Sequence, residues 1–94
     1  MTAKRRDRDG RLIRKGDIVR VVALPDLAGC PPETHRVFRH LVGTYRRVRG
    51  FDAAGNAEII LRMRTGRERG LHVVGIEPSL LKTRASRGSY ARAV

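Results

Sequence analysis

The sequence predicts a small all-β domain of about five strands, and three observations predict it. Glycine punctuates the 94-residue chain at intervals suited to short strands, and no long stretch keeps a 3.6-residue apolar period. Residues 57–64 instead keep a period of two, with Ala57, Ile59, Leu61 and Met63 on one side of a strand and Glu58, Ile60, Arg62 and Arg64 on the other. A chain of this length holds one domain, which buries roughly 60% of the surface its unfolded form exposes. Its core is therefore small, and a large internal cavity is not expected. A hydrophobic content of 40% is enough for part of the chain to fold.

The elements follow in order. Residues 17–24 form the first strand, with Val19, Val21 and Ala23 toward a core and Ile18, Arg20 and Val22 away from it. Asp9-Gly10 and Lys15-Gly16 bracket a short extra strand around Leu12-Ile13. Pro25, Gly29, Pro31 and Pro32 exclude a continuous strand over residues 25–41, because proline cannot donate to a ladder. Residues 32–41 fit either a short helix, with proline in its first turn and Phe38, Leu41 and Val42 on one side, or a long, partly ordered loop. Residues 43–51 read as one strand, 52–56 as a turn, 57–65 as the return strand and 65–70 as the next turn. Residues 71–76 make the following strand, 78–81 a single 3₁₀ turn, and Lys82-Thr83 starts a last short strand. From residue 85 the chain is small, basic and without pattern, which reads as a disordered tail. The expected organisation is a basic N-terminal arm (1–14), a folded domain (15–84) and a basic flexible tail (85–94). Residues 1–10 and 85–94 are expected to contribute little to folding.

The net charge of +12 is unevenly spread. Residues 1–15 carry seven basic and two acidic side chains, residues 82–94 four basic and none acidic, and the middle ten basic and seven acidic. Nine of the twelve net charges thus sit toward the ends, a distribution that attracts polyanions without needing a shaped site. Cys30 is the single cysteine, so an intrachain disulfide is impossible and a reducing compartment is expected. The first residues are charged, so no apolar leader is expected. The longest apolar run, Val21-Val22-Ala23-Leu24, is far below the roughly 20 residues of a membrane helix. A cytoplasmic protein with no membrane partner is expected.

The order of strand, irregular loop, three-strand meander, 3₁₀ turn and short final strand resembles that of SH3-like barrels. Lys15-Gly16-Asp17-Ile18-Val19-Arg20-Val21 resembles the opening "G-D-x-V-R-V" of that superfamily. Gly43-Thr44-Tyr45-Arg46-Arg47-Val48 resembles the "G-x-V-x-x-I" core of KOW-type domains of ribosomal and transcription-elongation proteins. Residues 71–81 resemble the closing "V-x-x-I/V-x-P-x-x-L". His35-Arg36 and Val42-Gly43 are distantly similar to the His-x-Arg and Gly-x-x-Gly of the nitrile hydratase β-subunit domain, without its first glycine or its helical region. The plasmid-type trimethoprim-resistant dihydrofolate reductases are also similar at opening and close. Their Val-Gln-Ile-Tyr run is Val73-Val74-Gly75-Ile76 here, so that activity does not carry over. The resemblance implies an SH3-like barrel over residues 15–84.

The chemistry-bearing residues point to binding rather than catalysis. If Phe51 faces Ala57 across the turn, Arg46 lies opposite Arg62 and Thr44 opposite Arg64. A bulge near Arg46-Arg47 instead aims Arg47 and Arg49 outward and brings Val48 into the core. Either register gathers arginines on one face, and Arg67 and Arg69 extend from the next turn. Tyr45 and Phe51 fall on core-facing positions, and the other aromatics are Phe38 and Tyr90, so base stacking and a proline-peptide groove are not expected. Cys30, His35, His40 and His72 match no zinc spacing, and Cys30 precedes Pro31 with no group to orient a base. No metal, cofactor or small-molecule substrate is expected. The leading expectation is a non-catalytic module contacting RNA or DNA backbone through Lys4, Arg5, Arg6, Arg46, Arg47, Arg49, Arg62, Arg64, Arg67, Arg69, Arg84 and Arg87. The alternative is an adaptor docking on a larger enzyme or assembly through the 24–41 loop, with Leu24, Leu27, Phe38 and Leu41 as contacts.

Overall fold

A computed structural model of the chain describes residues 5–64, 66–67 and 69–84. The period of two is honoured almost residue by residue in the long hairpin. Strand β4 (Ala57–Met63) buries Ala57, Ile59, Leu61 and Met63 and leaves Arg62 exposed. It pairs antiparallel with β5 (Gly70–Ile76) from Ala57↔Ile76 to Met63↔Gly70, and with the two-residue β3 (Gly50–Phe51) through Phe51↔Ala57, the register expected from the sequence. Strands β1 (Ile18–Val21), β2 (Tyr45–Arg47) and β6 (Leu81–Thr83) form a second sheet in the order β2-β1-β6, with a 3₁₀ turn at Pro78–Leu80 leading into β6. The described residues therefore form six strands in two three-stranded antiparallel sheets, β2-β1-β6 and β3-β4-β5, which do not close into a barrel.

Residues 43–51 are not one strand. Val48 donates its N–H to Asp17 and accepts from Gly16, beside β1, while Arg49 donates to Glu58 on β4. The chain thus leaves one sheet at Val48 and enters the other at Arg49. Val48 is buried and Arg47 and Arg49 are exposed, as in the bulged alternative. The expected pairing of Arg46 with Arg62 and of Thr44 with Arg64 is lost, because Arg46 lies opposite Val19 of β1.

Residues 32–41 are helical (α1, Pro32–Leu41). Pro32 occupies the first turn, where a missing N–H costs nothing, Glu33 lies at the positive end of the dipole, and Arg39 and His40 lie at the negative end. Val42 N–H caps Phe38, and Gly43 follows at φ 84, a conformation that only glycine adopts without strain. The helix packs on β4 and buries Val37, Phe38 and Leu41, joining Val19, Val21, Val48, Ile59, Ile76 and Leu81 in one core. Val42, expected on the apolar side, is exposed.

The N-terminal segment corrects the expected boundary. Ile13 belongs to the core, Arg6 bridges Leu12, and Arg8 donates its N–H to Leu81. Asp7 is only 5% exposed. Its carboxylate accepts from Asp9 N–H (2.9 Å), Arg11 N–H (2.8 Å) and, from the far end of the chain, Thr83 N–H (2.8 Å). Residues 5–14 are thus part of the fold rather than an arm contributing little to it. The expected tail, 85–94, lies outside the described residues.

One glycine is set by packing. A Cβ on Gly75 would stand 2.8 Å from Asp52 Oδ2 and 3.3 Å from Asn56 Cβ. Asp52 cannot easily yield, since its Oδ1 accepts from Ala54 and Asn56 N–H at 2.9 Å and so holds the β3–β4 turn. The bond from Asn56 N–H leads in keeping the Asp52 carboxyl below its ordinary range. Gly75→Ala is therefore expected to cost about 1–2 kcal/mol in urea unfolding. Gly50→Ala, whose Cβ would meet only Glu58 at 3.7 Å, should be near neutral. Equal costs for the two would refute the Asp52 contact as the reason for glycine.

Candidate nucleic-acid interface

With one face of each sheet turned into the shared core, the other face of each is turned away from it. On the β2-β1-β6 sheet, the inner rows contain Val19 and Val21, with Leu81 opposite Val21. The next residues along each strand therefore face out. Tyr45, Arg20 and Lys82 are aligned across the three strands in one row, because Arg20 pairs with both of the others. In the adjacent row Arg47 pairs with Ile18, and Arg84 donates its N–H to Ile18 from the other side. Tyr45, Arg20, Lys82, Arg47 and Arg84 are all exposed, and Ile18 is half-buried between them.

This face is held loosely by local contacts. The Arg84 guanidinium lies 5.6 Å from the Tyr45 ring centroid, reaching across β1. Arg47 donates to Gly16 O (3.3 Å) and Arg20 to Gly43 O (3.5 Å), so both guanidinium groups keep donors for another acceptor. Asp9 lies 3.9 Å from Lys82 Nζ with both side chains about half exposed (59% and 49%), a pairing worth little against solvent. Four cations around an exposed phenol ring make a surface suited to phosphates and to the face of a base.

The arginines expected to share a face are divided. Arg47 and Arg84 lie on the surface just described, joined by Arg20, Tyr45 and Lys82, which the sequence alone does not mark as contacts. Arg46 sits half-buried in the inner row beside Val19, with Nε bonded to Thr44 Oγ1 (3.1 Å). Arg62 belongs to the other sheet and Arg64 follows just past the end of β4, Arg67 and Arg69 are exposed in the β4–β5 loop, and Arg49 is exposed at the crossover. Arg5 stacks on Phe51 at 4.3 Å from its centroid, above a cleft of about 430 Å³ that Arg14 and Lys15 also line. Arg6 Nη1 donates to Gly10 O at 2.8 Å. Lys4 and Arg87 lie outside the described residues.

Two aromatic assignments change as well. Tyr45 is 54% exposed rather than core, and Phe51 packs on the core only in part. Conversely, Phe38 and Leu41, expected as docking contacts, are spent on the core; Leu27 is half-buried and only Leu24 of that set is exposed. Among the described residues no group of three or more His, Cys, Asp or Glu side chains is placed to hold a metal ion, and no helix is long and apolar enough to cross a membrane. No protein-family model, curated protein or solved structure matches the chain.

Proposed function

We propose that the protein is a non-catalytic module of SH3-like barrel type that binds RNA or DNA through the outer face of the β2-β1-β6 sheet. The observation that carries this reading is the pair of rows Tyr45–Arg20–Lys82 and Arg47–Ile18–Arg84. Arg20 and Lys82, like charges set across neighbouring strands, are destabilising in place, and an anion bound there relieves them. The strand that passes between sheets at Val48 and the 3₁₀ turn before β6 support the SH3-like assignment. The contacts available are guanidinium and ammonium groups with one stacking ring, which favours backbone over sequence. Sequence-independent binding follows.

Release of counterions from phosphates supplies most of such an affinity. Four exposed cations give a logarithmic salt slope of about −3 to −4, so raising salt fourfold should weaken binding roughly a hundredfold. Anisotropy titration of a labelled duplex and a structured RNA at two salt concentrations tests this. Binding that survives high salt unchanged, or none at low salt, sinks the reading.

Docking on a larger assembly is a second reading, and one observation favours it. Leu71 and Val73 of β5 are 59% and 66% exposed. The apolar contact surface then lies on β5 rather than on the 24–41 loop, and recovery of one stoichiometric protein from nuclease-treated extract would support it.

A further inference from the structure

Strand β5 ends its sheet, and the side away from β4 carries no strand among the described residues. Its sequence, Gly70–Ile76, contains none of the lysines or prolines that commonly blunt such an edge. Its outer face shows Leu71 and Val73. Beside it runs an open groove of about 360 Å³, with Glu33, Thr34, Val37 and Phe38 of α1 on one wall and residues 71–74 on the other. The charges around the strand are polarised along it. Arg62, Arg64 and Arg69 stand at the Gly70 end, while Glu58 lies opposite Gly75, Asp52 beside Gly75, and Glu77 follows Ile76.

We infer that β5 pairs antiparallel with β5 of a second copy of the chain, about a two-fold axis at Val73. This register places Val73 opposite Val73 and Leu71 opposite Gly75, and it sets Arg69 of each copy opposite Glu77 of the other. Each basic end meets an acidic end. The two Arg69 residues of the pair stand about 27 Å apart at the strand rise, well beyond the roughly 8 Å screening length at physiological salt. Parallel pairing would put the arginine ends side by side. The groove beside α1 gives the incoming strand a wall that is apolar at Val37 and Phe38 and polar at Glu33 and Thr34, and main-chain hydrogen bonds along the edge supply the rest. The contact is small and each copy carries +12, so the dimer is weak and strengthens as salt screens the repulsion. That sign is opposite to nucleic-acid binding, so this inference stands or falls separately from the proposed function.

Sedimentation equilibrium over a concentration series reaching roughly millimolar, at low and high salt, reads the association, since an interface this small holds only weakly. Dimer that grows with salt is expected. Val73→Lys places like charges on the axis and should weaken association about tenfold or more while the circular dichroism is unchanged. In a Cys30→Ser background, which removes the exposed native thiol, Val73→Cys treated with oxidised glutathione as electron acceptor should form a covalent dimer much faster than Leu71→Cys, which faces position 75 instead. A monomer throughout the series, a dimer indifferent to Val73→Lys, or equal cross-linking of the two cysteine variants would each overturn the pairing. Binding of an acidic peptide with no self-association would likewise overturn it.

Discussion

Replacing Asp7 with alanine is expected to destabilise the fold by about 3 kcal/mol, a large share of the roughly 5–15 kcal/mol that holds a domain together. Asp7 is buried in a stretch of arginines and closes two distant parts of the chain at once. Its Oδ1 accepts from Asp9 and Arg11, fixing the turn before Leu12, and its Oδ2 accepts from Thr83 on β6. Alanine leaves three main-chain N–H groups without their partner in a site nearly closed to water. Asp7→Asn keeps the volume but turns one acceptor into a donor, so an intermediate loss is expected. Burial alone would raise the carboxyl pKa, but the hydrogen bonds from Thr83, Arg11 and Asp9 outweigh it and the net shift is downward. A folded pKa below the unfolded value gives stability that is fully present above about pH 4 and lost as pH falls through the folded pKa. The gap between wild type and Asp7→Asn should therefore be constant from pH 7 to about pH 5 and narrow below about pH 4. Urea midpoints at each pH measure it. A loss under about 1 kcal/mol for Asp7→Ala, within the range of an ordinary substitution, would show that the Asp7 carboxylate does not hold the two ends of the chain together. Removing residues 1–10 should cost at least as much as Asp7→Ala, because the Arg8–Leu81 main-chain bond goes with it.

Asp7 also shows where a sequence stops being legible. A carboxylate among arginines reads as solvated, and its burial depends on Thr83, 76 residues away. The β4 hairpin needed no such information: alternation and the turn between Phe51 and Ala57 set both its faces and its register. Tyr45 went astray for a definable reason. Counting by twos along one strand puts Tyr45, Arg47, Arg49 and Phe51 on the same face. The change of sheet at Val48–Arg49 breaks that count, so Tyr45 and Arg47 turn out while Val48 and Phe51 turn in. Arg20 was expected to face away from the core, but its neighbours were not readable, because they come from β2 and β6 and only the pairing order β2-β1-β6 joins them. The helix over 32–41 was undecided for want of length: ten residues with one apolar side satisfy a loop as well, and packing on β4 decides between them.

Reversing the charge of Arg20 and Arg84 together is expected to lower affinity for a nucleic-acid duplex by about a hundredfold at moderate salt, and to reduce the magnitude of the salt slope by about two. The two residues stand in adjacent rows of one exposed face, so each reversal removes a phosphate contact and sets a carboxylate among the remaining cations. Neither side chain is buried, and a thermal melt should move little. Arg62→Glu with Arg64→Glu makes the same change in net charge at the end of β4, on the other sheet. If binding followed net charge alone, the two double variants would be equally weak. With a screening length of about 8 Å, charges on the other sheet act little on a strand bound to β2-β1-β6, and a loss of no more than about threefold is expected there. Tyr45→Ala separates the ring from the charges: removing a stacked base should cost about tenfold for a single strand and little for a duplex, whose bases are already stacked. Equal losses from the two charge reversals would move the site off this face and return the binding to undirected attraction.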